Sequence, residues 1–169
     1  GGVDIGSEEA VWWTITDDDG HQLSTIGSVR SMYDDSPVIL QGDVYIEGVV
    51  TSIDNTWAGR VVVEDGTGAL PIQLLSENRP VRGDVVLVNI GQGTLHESQG
   101  TLEVSQVKEY EKLGQDVIRV SGASLADLLT SPRRYASPTV QLVGVPFTQA
   151  DGVTTLGGDR VVTDGSHTI

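Results

Sequence analysis

A chain of 169 residues, 38% of them hydrophobic, is long enough for one domain, or one domain and part of another, with its own core. It has no cysteine, which excludes disulfides, thiolate metal sites and a Cys nucleophile, and no apolar run approaches the ~18–20 residues of a membrane-crossing helix. Lys and Arg number 10 against 24 Asp and Glu, a net charge of −14, which works against a polyanionic ligand because phosphate neutralisation supplies most of that affinity.

The chain begins Gly-Gly without Met or a signal-like segment, so its start is expected to be trimmed. Residues 1–23 read as an acidic segment with one strand, "VWWTIT" (11–16), which puts Trp12 and Trp13 on opposite faces. "DDDG" (17–20) lacks the alternating ligands and distant Glu of a calcium-binding helix–loop–helix, and reads as an acidic turn.

"STIGSVRSMY" (24–33) starts with capping hydroxyls and spaces Ile26, Val29 and Met32 or Tyr33 on one helical face. Strands follow by the period-two alternation of apolar residues. "DVYIEGVVTSI" (43–53) puts Val44, Ile46, Gly48 and Val50 on one face, and "RVVVED" (60–65) turns through "EDGTG" into "ALPIQLL" (69–75), with Leu70, Ile72 and Leu74 on one side. Pro71 removes a backbone donor and is expected at an edge or a bulge. "DVVLVNIG" (84–91) and "TLEVSQVKEY" (101–110) complete five strands, separated by an expected loop, "GQGTLHESQG". "SLADLLTSP" (124–132) is a second helix, with Ser124 as N-cap and Pro132 as terminator.

The two helices begin parallel stretches. "VYIEGVV" (44–50) matches "VQLVGVP" (140–146), and "GRVVVEDG" (59–66) matches "DRVVTDG" (159–165). The offset is 99 residues at the helices, 96 at the first strand and 99 at Asp65 and Asp164. The fold expected is mostly β: a five-stranded OB-like antiparallel barrel with a leading helix over 24–110. Residues 111–169 then hold a linker, a short helix and an incomplete second OB-like repeat. An OB barrel usually carries a helix between its third and fourth strands. "SENRPVRG" (76–83) is short for one, so the helix at 24–33 is expected to cap the barrel.

Over residues 24–107 the order of motifs resembles a domain of unknown function found in Bacteroidetes-type surface lipoproteins. That family has a Thr-Ile-x-x-Leu-Arg helix, matched by Thr25, Ile26, Val29 and Arg30. Its Ile-Glu-Gly-Val-Val strand is matched by Ile46, Glu47, Gly48, Val49 and Val50. Its Ile-Gln-Asp-x-Thr-Gly-Gly turn is matched by Asp65, Thr67 and Gly68, and its Pro-Val-Gly-x-x-Val strand by Pro80, Val81, Gly83, Val85 and Val86. None of these positions is a known catalytic residue. The resemblance implies an OB-like barrel, export, and a place at the outer membrane or cell surface through an N-terminal lipidated cysteine that this sequence does not contain. Membrane contact is expected through that anchor alone.

No catalytic constellation emerges. His21, His96 and His167 share no metal-ligand spacing, no Ser lies in Gly-x-Ser-x-Gly, and there is no phosphate-cradling Gly-x-x-x-x-Gly-Lys. No cofactor, metal or enzymatic activity is expected. Ligands of OB barrels cross strands two and three, between the loop after strand one and the loop before strand five. Here these loops contribute Asn55, Trp57 and His96, and Arg60 opens strand two. Trp57 either stacks on a sugar, base or partner or folds back onto the barrel.

The expected function is a non-catalytic binding or scaffolding module of a surface protein, its partner a glycan or a protein of an outer-membrane complex. Single-stranded nucleic acid is the alternative by fold analogy. It is disfavoured because residues 1–65 carry a net −11, and Arg60 stands alone over 43–75 against Asp43, Glu47, Asp54, Glu64 and Asp65. An accessory domain of an enzyme whose catalytic part lies elsewhere is the third reading.

Overall fold

The computed structural model describes residues 20–52, 59–135, 138–148 and 161–169. Within them the fold is mostly β. Helix α1 is short, Ile26–Arg30, with the Thr25 side chain accepting from Ser28 N–H as N-cap and with Ile26 and Val29 buried. It is followed by β1 (Val38–Ile39), β2 (Tyr45–Val50), β3 (Arg60–Asp65), β4 (Gly68–Leu74), β5 (Asp84–Asn89), β6 (Thr94–Ser98), β7 (Thr101–Val107) and β8 (Tyr110–Gln115). Beyond these lie β9 (Ser121–Gly122), α2 (Leu125–Thr130), α3 (Pro132–Tyr135) and β10 (Val140–Gln141).

The first eight strands form one sheet in the order β1-β6-β7-β4-β3-β2-β5-β8. All five expected strands are present, as β2, β3, β4, β5 and β7. The ladder differs from a closed five-stranded antiparallel barrel in four ways. The expected loop 91–100 contains β6, which pairs antiparallel with β7. A further strand, β8, pairs with β5 and carries the sheet to Gln115. The β4–β7 pairing is parallel, and the end strands β1 and β8 do not pair with each other.

The sheet is nevertheless curled. β5 and β6 lie at distant places in the strand order, yet only Ile90–Gly93 join them, a link that spans roughly 14 Å at most. Glycine is required at this corner, because a Cβ on Gly91 would run into Gly42 O and one on Gly93 would stand 2.7 Å from Val104 Cγ1. The segment leading into β2 stitches the corner: Ile90 N–H donates to Val44 O, Gln92 N–H to Leu40 O, and Leu40 N–H to Gly93 O.

Alternation decides what is inside. Ile46, Gly48 and Val50 of β2 face the core and Tyr45, Glu47 and Val49 face outward. The core gathers Ile46, Val50, Val63, Leu70, Ile72, Val86, Val88, Leu95 and Val104 beneath Ile26 and Val29 of α1. Pro71 lies not on an edge strand but in β4, opposite Val62 of β3. The β4–β7 ladder begins after it, at Ile72, and shifts register before Leu74. Pro132 ends α2 and also opens α3, the first-turn position where its missing N–H is harmless.

Backbone bonds around α1 recur around α2. Leu23 bridges Tyr45 in parallel, with Ser24 N–H donating to Tyr45 O; Gly122 pairs with Gln141 in parallel, with Ala123 N–H donating to Gln141 O. Val50 pairs with Val63 and Phe147 with Val162; Glu64 pairs with Ala69 and Thr163 with Thr168. Asp65 Oδ1 accepts from the N–H groups two and three residues on, Thr67 and Gly68, and Asp164 Oδ1 does the same for Ser166 and His167.

Candidate binding face

The outer surface of β3, β4, β6 and β7 carries the polar constellation of most interest. Arg60 opens β3 opposite Gln73 of β4, and His96 of β6 stands directly opposite Glu103 of β7. Since β4 lies between β3 and β7, Arg60 must reach across two strand spacings, roughly 10 Å, which its long side chain does. Its Nη2 donates to Glu103 Oε2. His96 Nε2 lies 3.5 Å from Glu103 Oε1. The Glu103 side chain is 6% exposed beneath an Arg60 and a His96 that are each about one quarter exposed.

Burying a carboxylate costs heavily unless it is paired and hydrogen-bonded. Glu103 meets that condition through its hydrogen-bonded ion pair with Arg60 of β3, with His96 of β6 beside its other oxygen. The product is a polar platform in which a part-exposed guanidinium and imidazole overlie a buried carboxylate, groups able to hydrogen-bond hydroxyl-rich or amide-rich ligands.

Of the four residues predicted for ligand contact, Arg60 and His96 are brought together on this carboxylate. Asn55 and Trp57 lie in 53–58, outside the described residues, as do Trp12, Trp13 and Asp17–Asp19. Glu103 went unrecognised in the sequence. Its signal was the hairpin "TLHESQGTLEVS", which sets His96 against Glu103 once 94–98 is read as a strand.

The other histidines take up separate contacts. His21 stacks on Tyr45 with ring centroids 4.2 Å apart, and His167 Nδ1 lies 3.1 Å from Asp164 Oδ2. Among the described residues no group of three His, Asp or Glu is arranged to hold a metal ion. A second buried carboxylate, Asp84, joins β5 to β8 through Lys112 Nζ at 2.6 Å. It also accepts from Val81 N–H and Gln115 Nε2. Burial alone would raise this carboxyl, but the bond from Lys112, the two further hydrogen bonds and the Lys112 charge together hold it below its ordinary value.

The chain matches no protein-family model and no curated protein. Among solved structures it is similar to the hypothetical protein ygiW from E. coli, at 18% identity and a TM-score of 0.39, over 60% of this chain and 100% of that one. It is also similar to a protein from Leishmania major Friedlin assigned as an aspartyl-tRNA synthetase, at 13% identity and a TM-score of 0.41. That match covers 69% of this chain, which spans about a quarter (26%) of the other's length.

Proposed function

We propose that the chain is a non-catalytic binding module of an exported, lipid-anchored surface protein, and that its ligand is a glycan. The single observation that carries the binding reading is the Arg60–Glu103–His96 platform on an outward sheet face. The exported setting rests on the sequence resemblance over residues 24–107. In this reading the first unit is an OB-like five-stranded barrel, with β5 and β6 as two halves of one strand bent at Gly91–Gly93. The recurring backbone bonds around α2 support a partial second copy after residue 110. The platform then occupies the face on which OB barrels take their ligands, and the sugar's hydroxyls pair with Arg60, His96 and Gln73.

Calorimetric titration with a panel of neutral oligosaccharides tests the proposal. Micromolar to millimolar binding is expected, weakened at least tenfold by His96→Ala and by Arg60→Lys, which keeps the charge but loses the planar fork. Equal affinity in both variants would remove this face from the function. Labelled single-stranded DNA at low salt is expected not to bind; micromolar binding that weakens steeply with salt would favour the nucleic-acid reading instead.

A further inference from the structure

A separate cleft of about 420 Å³ opens on the outer face of β2, away from the Arg60 platform. Its origin is a parting of strands. β2 pairs with β5 from Tyr45 to Val49, but with β3 only at Val49 and Val50. At Gly48 the backbone of β3 crosses so closely that a Cβ there would stand 2.6 Å from Glu64 O. Beyond that crossing the tip of β3 diverges from β2, and the segment after β8 borders the opening from the other side, tied down by Asp116 N–H donating to Gly83 O.

The lining combines charge with an apolar floor. Among the described residues it brings Glu47, Glu64, Asp65 and Asp116 together with one cation, Arg119, over Val49, Val85 and Val117. Asp65 is committed to its turn, and Asp116 Oδ1 accepts from Val117 N–H at 2.7 Å. Glu64 has one long contact, 3.4 Å from Thr139 N–H. Burial and the neighbouring Asp65 charge raise its carboxyl above the ordinary value, against that N–H. Glu47 forms neither hydrogen bond nor ion pair among the described residues.

An independent feature points to a ligand. Thr51 lines the same cleft at 8% exposure, and its hydroxyl has no hydrogen-bond partner among the described residues. A buried hydroxyl left without a partner is costly, and such groups in native proteins call for an explanation. Glu47, Val49 and Thr51 follow one another on the outward side of β2, and Glu64 stands opposite Val49. Acceptors thus line a row of roughly 13 Å with apolar surface between them. A row of acceptors interrupted by apolar floor matches a chain of methylenes carrying protonated nitrogens, which have donors and no acceptors.

We propose that this cleft binds an aliphatic ammonium ligand, extended along β2 with its charged nitrogens at Glu47 and Glu64, an N–H donated to the Thr51 hydroxyl, and its methylenes on Val49 and Val85. The same chemistry is offered by a free polyamine and by paired lysine side chains on a peptide.

Titration of the whole chain with spermidine, with acetyl-Lys-Gly-Lys-amide and with Mg²⁺ at matched ionic strength is the test. Spermidine or the lysine peptide is expected to bind with a sub-millimolar Kd, and the tighter of the two identifies the source. Glu47→Gln should weaken that binding at least tenfold and Thr51→Val several-fold. Both side chains lack partners among the described residues, so the unliganded melting temperature should hold in both variants, which separates lost binding from lost folding. Mg²⁺ shifting the melting temperature as much as spermidine, or undiminished amine binding in Glu47→Gln, would overturn the proposal.

Discussion

Asp65 Oδ2 accepts a hydrogen bond from the backbone N–H of Ile26 at 2.8 Å, across 39 residues of sequence. Beside it Thr67 Oγ1 accepts from Gly27 N–H, also at 2.8 Å. The first-turn N–H groups of α1 are therefore satisfied by the tip of the β3–β4 hairpin as well as by Thr25. A five-residue helix is too short to hold by itself in water, and this docking, with Ile26 and Val29 in the core, is what holds it. α2 is arranged differently, closed by its own capping box between Ser124 and Asp127.

Asp65→Ala is accordingly expected to destabilise the fold by ~1.5–3 kcal/mol, the range for losing hydrogen bonds to a charged acceptor. Asp65→Asn keeps one acceptor oxygen and should cost less. Urea denaturation distinguishes the two, and equal midpoints for Asp65→Ala and the parent chain would show that the docking is dispensable.

Gly48→Ala places a methyl where Glu64 O and Val63 Cγ1 already lie, at 2.6 and 2.8 Å. One of these neighbours is backbone, so the strand crossing itself must shift. The expected loss is ~1–3 kcal/mol, typical of overpacking, and the cleft beside β2 should change shape with it. Amide exchange at Val49–Thr51 is the direct measurement, with faster exchange expected.

The buried Asp84 gives stability a pH dependence of defined sign. Its carboxyl sits below the ordinary value in the fold, through Lys112, Val81 and Gln115 acting against burial. The unfolded chain therefore takes up the proton first as pH falls. The contribution is fully present above the ordinary carboxylate range, about pH 4, and drains away as pH drops through the lowered folded value. Asp84→Asn should flatten the acid limb of a stability–pH curve, and an unchanged limb would assign acid sensitivity to other groups.

Breaking the Arg60–Glu103 pair from one side leaves an almost fully buried carboxylate with His96 as its remaining neighbour of opposite kind among the described residues. Arg60→Ala is expected to cost up to ~3–5 kcal/mol, as for other buried pairs that lose one partner. The double variant Arg60→Met with Glu103→Leu removes both charges and should recover most of the loss. A double-mutant cycle on melting curves measures the difference, and a recovery near zero would show that packing of the Arg60 stem outweighs its charge.

What the sequence displayed depended on burial. β2, β3, β4, β5 and β7 alternate apolar residues because one face of each is core, and that alternation is legible. "TLHES" has one core residue, Leu95, amid polar neighbours and flanking glycines, so its strand was hidden in an apparent loop. "YEKLGQ" of β8 is an edge strand with both faces largely open, and it lacks the pattern for the same reason. His96 was found through a barrel loop and Arg60 as the first residue of the second strand, but the carboxylate that joins them required β6 as a strand. The cleft over β2 had no sequence signature, because it arises from strands parting at Gly48.

The parallel pairing of β4 with β7 has a consequence for the nascent chain. About thirty residues separate Leu74 from Val107, its partner in the ladder, so β4 emerges from the ribosome roughly 2–6 s before the strand that covers it, at roughly 5–20 residues per second. During that interval the β3–β4 hairpin is already able to form, and its free edge is a template for another nascent chain. Hydrogen-bonded pairs alternate from Asp65–Gly68 along the hairpin, which leaves the backbone nitrogen of Pro71 pointing away from β3. The proline thus removes a donor from the open edge, and "SENRP" (76–80), one residue beyond β4, adds the charged and proline residues that guard such segments from co-aggregation. A substitution Pro71→Val would suit the finished sheet and endanger the half-made one, so its cost should surface as lower soluble yield at high expression.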